Sequence, residues 1–263
     1  MLLSFTLGQK PTEWLLAMFA SKNGNSTGAV PAQPRPASTV VLLRETRKGL
    51  ETLLLKRNKA LMFAGGYWVF PGGALDPEDF AAAGGDELKA SRIAAAREAW
   101  EESGLRPQLE DMVLVSHWTT PVAEPRRFST WIYAAPVATA EDVVIDGGEI
   151  HDHLWLGVEE AIAMHQRGEL PVLPPTLVTL LGLGAYDSIA QLVAAERSSA
   201  VPEVLPVFAL DDGKVTVMFR GDAGYDSAAP SAPGARHRAT LEERRWVYSY
   251  RDVDAAYPPL VRQ

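Results

Sequence analysis

Arg97-Glu98-Ala99-Trp100-Glu101-Glu102-Ser103-Gly104-Leu105 sets four charged side chains at i, i+1, i+4 and i+5 of one short segment. On a helix of about 3.6 residues per turn, Glu98, Glu101 and Glu102 share a face with Arg97 at its margin, while Ile93, Ala96 and Trp100 point toward a core. Three carboxylates this close repel one another, and near a helix C-terminus they also oppose the macrodipole. A solvated acidic helix end is the plain alternative, but the placement is doubly unfavourable without a counterion. A divalent cation relieves it, because hard ions such as Mg2+ take oxygen ligands and keep part of their water shell. This stretch predicts a metal site.

Upstream, Phe70-Pro71-Gly72-Gly73-Ala74-Leu75-Asp76 announces the helix. Its glycines let backbone approach a metal or a phosphate where a β-carbon would obstruct. Gly73 together with Arg97-Glu98-x-x-Glu101-Glu102-x-Gly104-Leu105 resembles the Nudix box, G-x5-E-x7-R-E-U-x-E-E-x-G-U, where U is a bulky apolar residue and Ala99 stands at the first U. Here 23 residues separate Gly73 from Arg97, about ten more than the pattern has, so an insertion falls somewhere in Asp79–Ala90. The middle acid of the box is left open between Glu78 and Asp79.

Farther on, Arg126 and Arg127 sit beside a proline-held loop. They are candidates for clamping a diphosphate or terminal phosphate, because guanidinium binds such groups bidentately. A surface ion pair is the competing reading. The surrounding Trp118-x-Thr120-Pro121-x-x-x-Pro125-Arg126-Arg127-Phe128-x-Thr130 resembles the Nudix subgroup of coenzyme A and acyl-coenzyme A diphosphatases. So do the insertion in the box, Leu173-Pro174-Pro175-Thr176 and Arg220-Gly221-Asp222-x-x-Tyr225. The resemblance runs from Ala37 to Tyr225.

That resemblance implies an α/β fold, the Nudix α/β/α sandwich, with a mixed sheet between helices and the box as a loop–helix–loop. It implies Mg2+ or Mn2+ held by Glu98, Glu101, Glu102 and the Gly73 carbonyl, with Arg97 orienting the carboxylates. Arg57, Gly72, Arg126 and Arg127 are the expected substrate-binding set. The general base is expected from a glutamate outside the box, with Glu141 and Glu149 both open. The implied reaction splits a small-molecule diphosphate, coenzyme A or acyl-coenzyme A, into 3′,5′-ADP and (acyl-)phosphopantetheine. Another Nudix specificity (ADP-ribose, NADH or a nucleotide sugar) and a catalytically silent ligand- or protein-binding module are the rivals. An intact glutamate trio argues against the silent one. Glu101→Gln is expected to abolish turnover and leave the fold intact.

Composition narrows the classes. The 263 residues are 47% hydrophobic and 22% charged, as in a soluble globular protein. A net charge of -8 offers no basic surplus for non-specific nucleic-acid binding. An anionic substrate must then be received locally, by arginines and metal. The absence of cysteine excludes disulfides and thiolate chemistry. No apolar run approaches the roughly 20 residues of a membrane-spanning helix.

The elements that must position the site follow from patterning. Residues 1–37 read as an N-terminal extension. Its run Trp14–Ala20 makes a poor signal peptide, and Ser21–Ala37 reads as linker. The catalytic domain is expected over 38–225, with 226–263 completing or flanking it. Thr39–Leu43 and Glu51–Arg57 read as a strand pair, Tyr67–Phe70 as a short strand, and 59–66 as a loop. Asp76 and Pro77 open a short helix, broken at Gly84-Gly85; Asp86 caps the long helix and Gly104 ends it. Met112–Val115, Phe128–Tyr133 and Glu149–Leu156 read as strands, Glu159–Gln166 as a helix, and 174–197 as two helices interrupted at Gly182–Gly184. His151 and His153 share a strand face with no third ligand nearby, which favours a structural role over zinc. Val204–Phe219 reads as a hairpin turning at Asp211-Asp212-Gly213, and Trp246–Tyr250 as a closing strand. A homodimer is a candidate assembly. The ending Val261-Arg262-Gln263 is not of the peroxisomal Ser-Lys-Leu type, and a cytoplasmic protein is the expectation.

Overall fold

The computed structural model describes residues 31–58, 64–138, 142–145 and 147–261. The run Trp14–Ala20, most of the linker, residues 59–63 and the base candidate Glu141 lie outside the described residues.

β1 (Arg35–Thr46) and β2 (Gly49–Arg57) form an antiparallel hairpin, with Thr46 opposite Gly49. Val40 to Leu43 and Leu53 to Leu55 are all buried. A strand buried on both faces belongs in the middle of a sandwich, and these two do. On its far side β1 pairs in parallel with β6 (Phe128–Pro136), which pairs antiparallel with β5 (Val113–Thr119). β8 (Glu203–Val204) adds in parallel to β5. β7 (Ile150–Gly157) takes the other edge of β2.

Beyond Leu53 the hairpin partners part, and the chain fills the wedge between them. β3 (Trp68–Val69) pairs with β2 at Leu55, and β4 (Gly72–Ala74) pairs with β1 at Thr39. The Pro71-Gly72-Gly73 turn is therefore inserted between the two central strands. That wedge is what the site is built on.

Two helices follow, α1 (Pro77–Ala82) and α2 (Glu87–Ser103). Asp86 caps α2 by accepting the Lys89 N–H at 2.9 Å, and Gly104 ends it in the left-handed region at φ 73°. Gly84 and Gly85, both at positive φ, make the turn between the helices. α2 lies against one sheet face through Ala95, Ala96 and Ala99, which meet Val40, Leu42, Leu53 and Tyr133. This alanine stripe lets helix and sheet approach closely.

The opposite face carries α3 (Val158–Gln166), α4 (Pro174–Leu183) and α5 (Ile189–Arg197) over Val41, Leu43 and Leu54. The architecture is the expected α/β/α sandwich with a mixed sheet. Among the described residues no helix is long and apolar enough to cross a membrane.

A second, four-stranded antiparallel sheet follows α5 in the chain and meets α3 and α4 through its last strand. It comprises β9 (Val207–Asp211), β10 (Lys214–Met218), β11 (Arg236–Glu242) and β12 (Arg245–Arg251), ordered β12-β11-β10-β9. Val215, Val217, Phe219 and Trp246 join the same core as α3 to α5. His165 ties the parts together: its Nδ1 is 2.9 Å from the Leu170 carbonyl, and its Nε2 accepts the Trp246 N–H at 2.8 Å. Asp222, fully buried, accepts from Arg238 Nε and Nη2 and from the N–H groups of Gly224 and His237. Asp222 of the Arg220-Gly221-Asp222-x-x-Tyr225 segment is thus a hub of this second sheet.

Three sequence expectations need correction. Trp100 does not face the core: it is 52% exposed, with the Arg106 guanidinium 5.4 Å from its ring. The alanine side of the helix is buried instead, since a tryptophan there would hold the helix off the sheet. Trp100→Ser should accordingly change unfolding free energy by less than about 1 kcal/mol in a denaturant titration. The linker stops short of Ala37, because β1 already begins at Arg35. The strand Arg236–Glu242 was not anticipated; its turn to β12 uses Glu243 at φ 55°, without the Gly, Asn or Asp that signals a tight hairpin.

Candidate active site

The wedge and α2 bring the box residues together. Glu102, the penultimate residue of α2, reaches the inserted turn, where its Oε2 accepts the Gly72 N–H at 3.0 Å. Gly73 lies directly against Glu98: a β-carbon added to Gly73 would sit on the Glu98 carboxylate, 2.7 Å from Oε2. A β-carbon on Gly72 would meet Thr39 Cα at 2.8 Å. Both positions require glycine for close approach rather than for a special φ.

The three glutamates are not equivalent, although they share a helix face. Glu101 is half-exposed, Glu98 mostly covered, and Glu102 only 7% exposed. Burial pushes the Glu102 carboxyl up to about 8, helped by the Glu98 charge and opposed by the Gly72 N–H and Arg57. Burial also raises Glu98, against the pull of Arg97. Two neighbouring carboxyls, both disfavoured as anions, are thus held side by side.

Arg97 is the counterweight. Its Nη1 donates to Glu98 at 2.9 Å and to Glu101 at 3.0 Å, and its Nη2 donates to the Ala74 carbonyl at 3.1 Å. Its Nε and Nη2 hold Asp79, at 3.2 and 3.0 Å. Asp79 is buried on α1, and its Oδ2 also accepts the Asp76 N–H at 2.9 Å. Glu78 is exposed. Of Glu78 and Asp79, Asp79 is the one that contacts Arg97. Leu75, Phe80 and Ala83 pack on Ala90 and Ala94 of α2 to close a small satellite core over it.

Among the described residues, no three Asp, Glu, His or Cys side chains converge on one point as a ready-made metal cluster. Glu98 and Glu101 are turned onto Arg97. The donor set nevertheless suits a hard divalent cation: carboxylate oxygens from Glu98, Glu101 and Glu102 beside a glycine whose missing β-carbon opens the cradle. A cation there would lower the cost of ionising the buried Glu98 and Glu102.

The remaining expected residues fall in two places. Arg57, at the end of β2, pairs with Glu149 at 3.3 Å. Both act electrostatically on Glu102, so they belong to the same site. Arg127 is built into the framework, donating to the carbonyls of Thr120 at 3.1 Å and Ala32 at 2.9 Å. Arg126 is exposed on the same loop. His151 is exposed on the β7 edge. The link between Arg57 and Glu149 was missed in the sequence. Its only trace there is that each ends a predicted strand, and strand ends say nothing of partners 92 positions apart.

Comparison with known proteins agrees with this layout. The NUDIX domain family model matches residues 33–175, the wedge, the box helix and the strands around them. No curated protein matches the chain significantly. Among solved structures, a NUDIX hydrolase from Alicyclobacillus acidocaldarius is similar over 62% of this chain and 96% of its own, at 24% identity and a TM-score of 0.56. An Ap4A hydrolase from C. elegans aligns over 57% and 96%, at 23% identity and a TM-score of 0.38. The NUDIX domain of Shewanella oneidensis NrtR, complexed with ADP ribose, aligns over 73% and 100%, at 16% identity and a TM-score of 0.42. At 24% identity the likeness to the Alicyclobacillus acidocaldarius protein is one of fold. The chain belongs to the NUDIX domain family.

Proposed function

We propose that the chain is a metal-dependent diphosphatase that hydrolyses the diphosphate linkage of coenzyme A or an acyl-coenzyme A. The observation that carries the hydrolase part is the buried Glu98–Glu102 pair, ionised only at a cost and set against a glycine turn inserted in the sheet. Such a pair is poorly suited to stability and well suited to a cation. Mg2+ or Mn2+, when bound, would neutralise charge on the phosphates and acidify a water.

The chain's own residues do the rest. Glu98, Glu101 and Glu102 supply oxygen ligands, and the Gly73 carbonyl joins them. Arg97 orients Glu98 and Glu101 while anchored on Asp79 and the Ala74 carbonyl. Arg57, at the edge of the site, receives a phosphate. Glu149 is the proposed general base, taking the proton of the attacking water. Gly72 holds Glu102 through its N–H and leaves room for substrate.

The coenzyme A assignment rests on the Trp118–Thr130 segment, in which Arg126 is exposed and Arg127 braces the loop that carries it. Arg126 is the proposed contact for the 3′-phosphate that distinguishes coenzyme A from ADP-ribose or NADH.

Product analysis tests both parts. With Mg2+ or Mn2+, coenzyme A should be cut fastest, to 3′,5′-ADP and phosphopantetheine, within a panel that adds an acyl-coenzyme A, NADH, ADP-ribose and a nucleotide sugar. Faster AMP release from NADH or ADP-ribose would retain the diphosphatase and discard the substrate. No turnover of any of them would favour a silent binding module.

A further inference from the structure

The end of β2 carries an arginine that the fold uses only in part. Pairing with β7 slips between Lys56 and Arg57, leaving Arg57 opposite Ile150. A bulge of this kind re-aims the side chain it carries. Arg57 also lies close enough to Glu102 to favour its ionisation. The Arg57 side chain is 19% exposed, and its Nε is buried without a hydrogen-bond partner. Its Nη2 meets Glu149 Oε2 at 3.3 Å, which is long for a charge-assisted bond.

Nε and Nη2 share one edge of the guanidinium. That edge is the one an oxyanion spans with two oxygens. Glu149 engages its Nη2 end and leaves Nε unsatisfied, at a cost for a buried donor. The Glu149 side chain is 59% exposed, so solvent can receive its carboxylate when an anion competes for Arg57. Its backbone cannot follow, because the Asn58 N–H donates to the Glu149 carbonyl at 2.7 Å and Asn58 Nδ2 donates to the Gly148 carbonyl at 3.3 Å.

We propose that the Nε–Nη2 edge of Arg57 is a seat for one phosphate of the substrate, and that Glu149 is its placeholder. In the free chain the carboxylate covers the seat. An arriving phosphate takes both donors and displaces it, and the released carboxylate is left beside Glu102. An exposed ion pair is worth only about 0.2–1 kcal/mol, so a bidentate anion can displace it. Glu149 then both screens the seat from weak anions and becomes available only when a diphosphate has arrived. This deepens the diphosphatase reading and rests on it for the role of the released carboxylate.

Binding of inorganic pyrophosphate, measured by calorimetry in metal-free buffer at low ionic strength, tests the seat without turnover. Glu149→Gln removes the competitor from an exposed position and should tighten binding roughly two- to fivefold. Arg57→Lys should weaken it, and adding Glu149→Gln to Arg57→Lys should restore nothing, because the seat itself is gone. Unchanged or weaker binding by Glu149→Gln would overturn the placeholder, as would the same gain in the double variant. Absence of pyrophosphate binding in both the native chain and Glu149→Gln would overturn the seat. Hydrolysis is scored separately. A chain that cuts diphosphates but fails this order keeps its reaction and loses the latch; one that shows the order but cuts nothing keeps the latch and loses the reaction.

Discussion

Glu102→Gln should make the metal-free protein more stable above pH 8 while abolishing its turnover. The carboxyl of Glu102 is raised by burial from its ordinary 4.5 to about 8. In the unfolded chain it ionises near its ordinary value, so between about pH 4.5 and 8 the folded state binds more protons. Stability then falls as pH rises through that window, by up to about 1.4 kcal/mol per pH unit, and levels off above it. This contribution is complete below about pH 4.5 and lost above about pH 8. Glutamine keeps an acceptor for the Gly72 N–H and has no charge to bury. In thermal unfolding without metal, the variant should match the parent near pH 4.5 and exceed it by a few kcal/mol at pH 9. Its kcat should drop by roughly a hundredfold or more, through loss of a ligand charge.

Glu101→Gln provides the contrast. Glu101 is half-exposed and pairs with Arg97 at 3.0 Å, so its loss should leave unfolding within about 1 kcal/mol of the parent. Turnover should still be abolished. A Glu102 variant that lost stability at pH 9, or a Glu101 variant that hydrolysed at the parent rate, would count against the metal site.

Asp79→Ala should be the most destabilising single change near the site. Its carboxylate is 3% exposed and is held by Arg97 and by the Asp76 N–H. Truncation leaves Arg97, itself 22% exposed, with one anchor fewer and frees the start of α1. Removing one partner of such a pair costs about 2–4 kcal/mol, less than a fully buried pair because Glu98 and Glu101 still face the guanidinium. A protein of this size then loses roughly 4–16 °C in Tm.

A second effect follows from the same geometry. Without Asp79, Arg97 keeps the Ala74 carbonyl and the longer Asp76 pair at 3.6 Å, and its hold on Glu98 and Glu101 competes more strongly with a cation. More Mn2+ should be needed for half-maximal activity, which a metal titration reads directly. Asp79→Glu should recover much of both losses, and Glu78→Ala should cause neither, since Glu78 is exposed.

How much of this was legible beforehand depends on the range of the interactions involved. Helix ends, strands and turns of residues 35–204 were readable because they rest on local chemistry: the Asp86 cap, the left-handed Gly104, and apolar runs bounded by glycine and proline. Trp246–Tyr250 was readable as a strand too, but Arg236–Glu242 was not, because the turn that joins it to β12 uses Glu243 without the usual residues and the strand is held by pairing with its neighbours. The Arg-Glu-Glu-Glu constellation was legible because all four charges lie within six positions on one helix.

By itself, the sequence determined which groups can do the chemistry: three carboxylates on one helix face, an arginine at its margin and two glycines that clear the approach. The tertiary structure decided how each behaves. It buried Glu102 and left Glu101 in solvent, chose Asp79 over Glu78 as the partner of Arg97, turned Trp100 outward, spent Arg127 on backbone carbonyls, and set Arg57 against Glu149. Each of these depends on burial or on contacts between segments far apart in the chain. Periodicity fixes which residues share a face of an element, but the energy of a charge depends on what the rest of the fold lays over it.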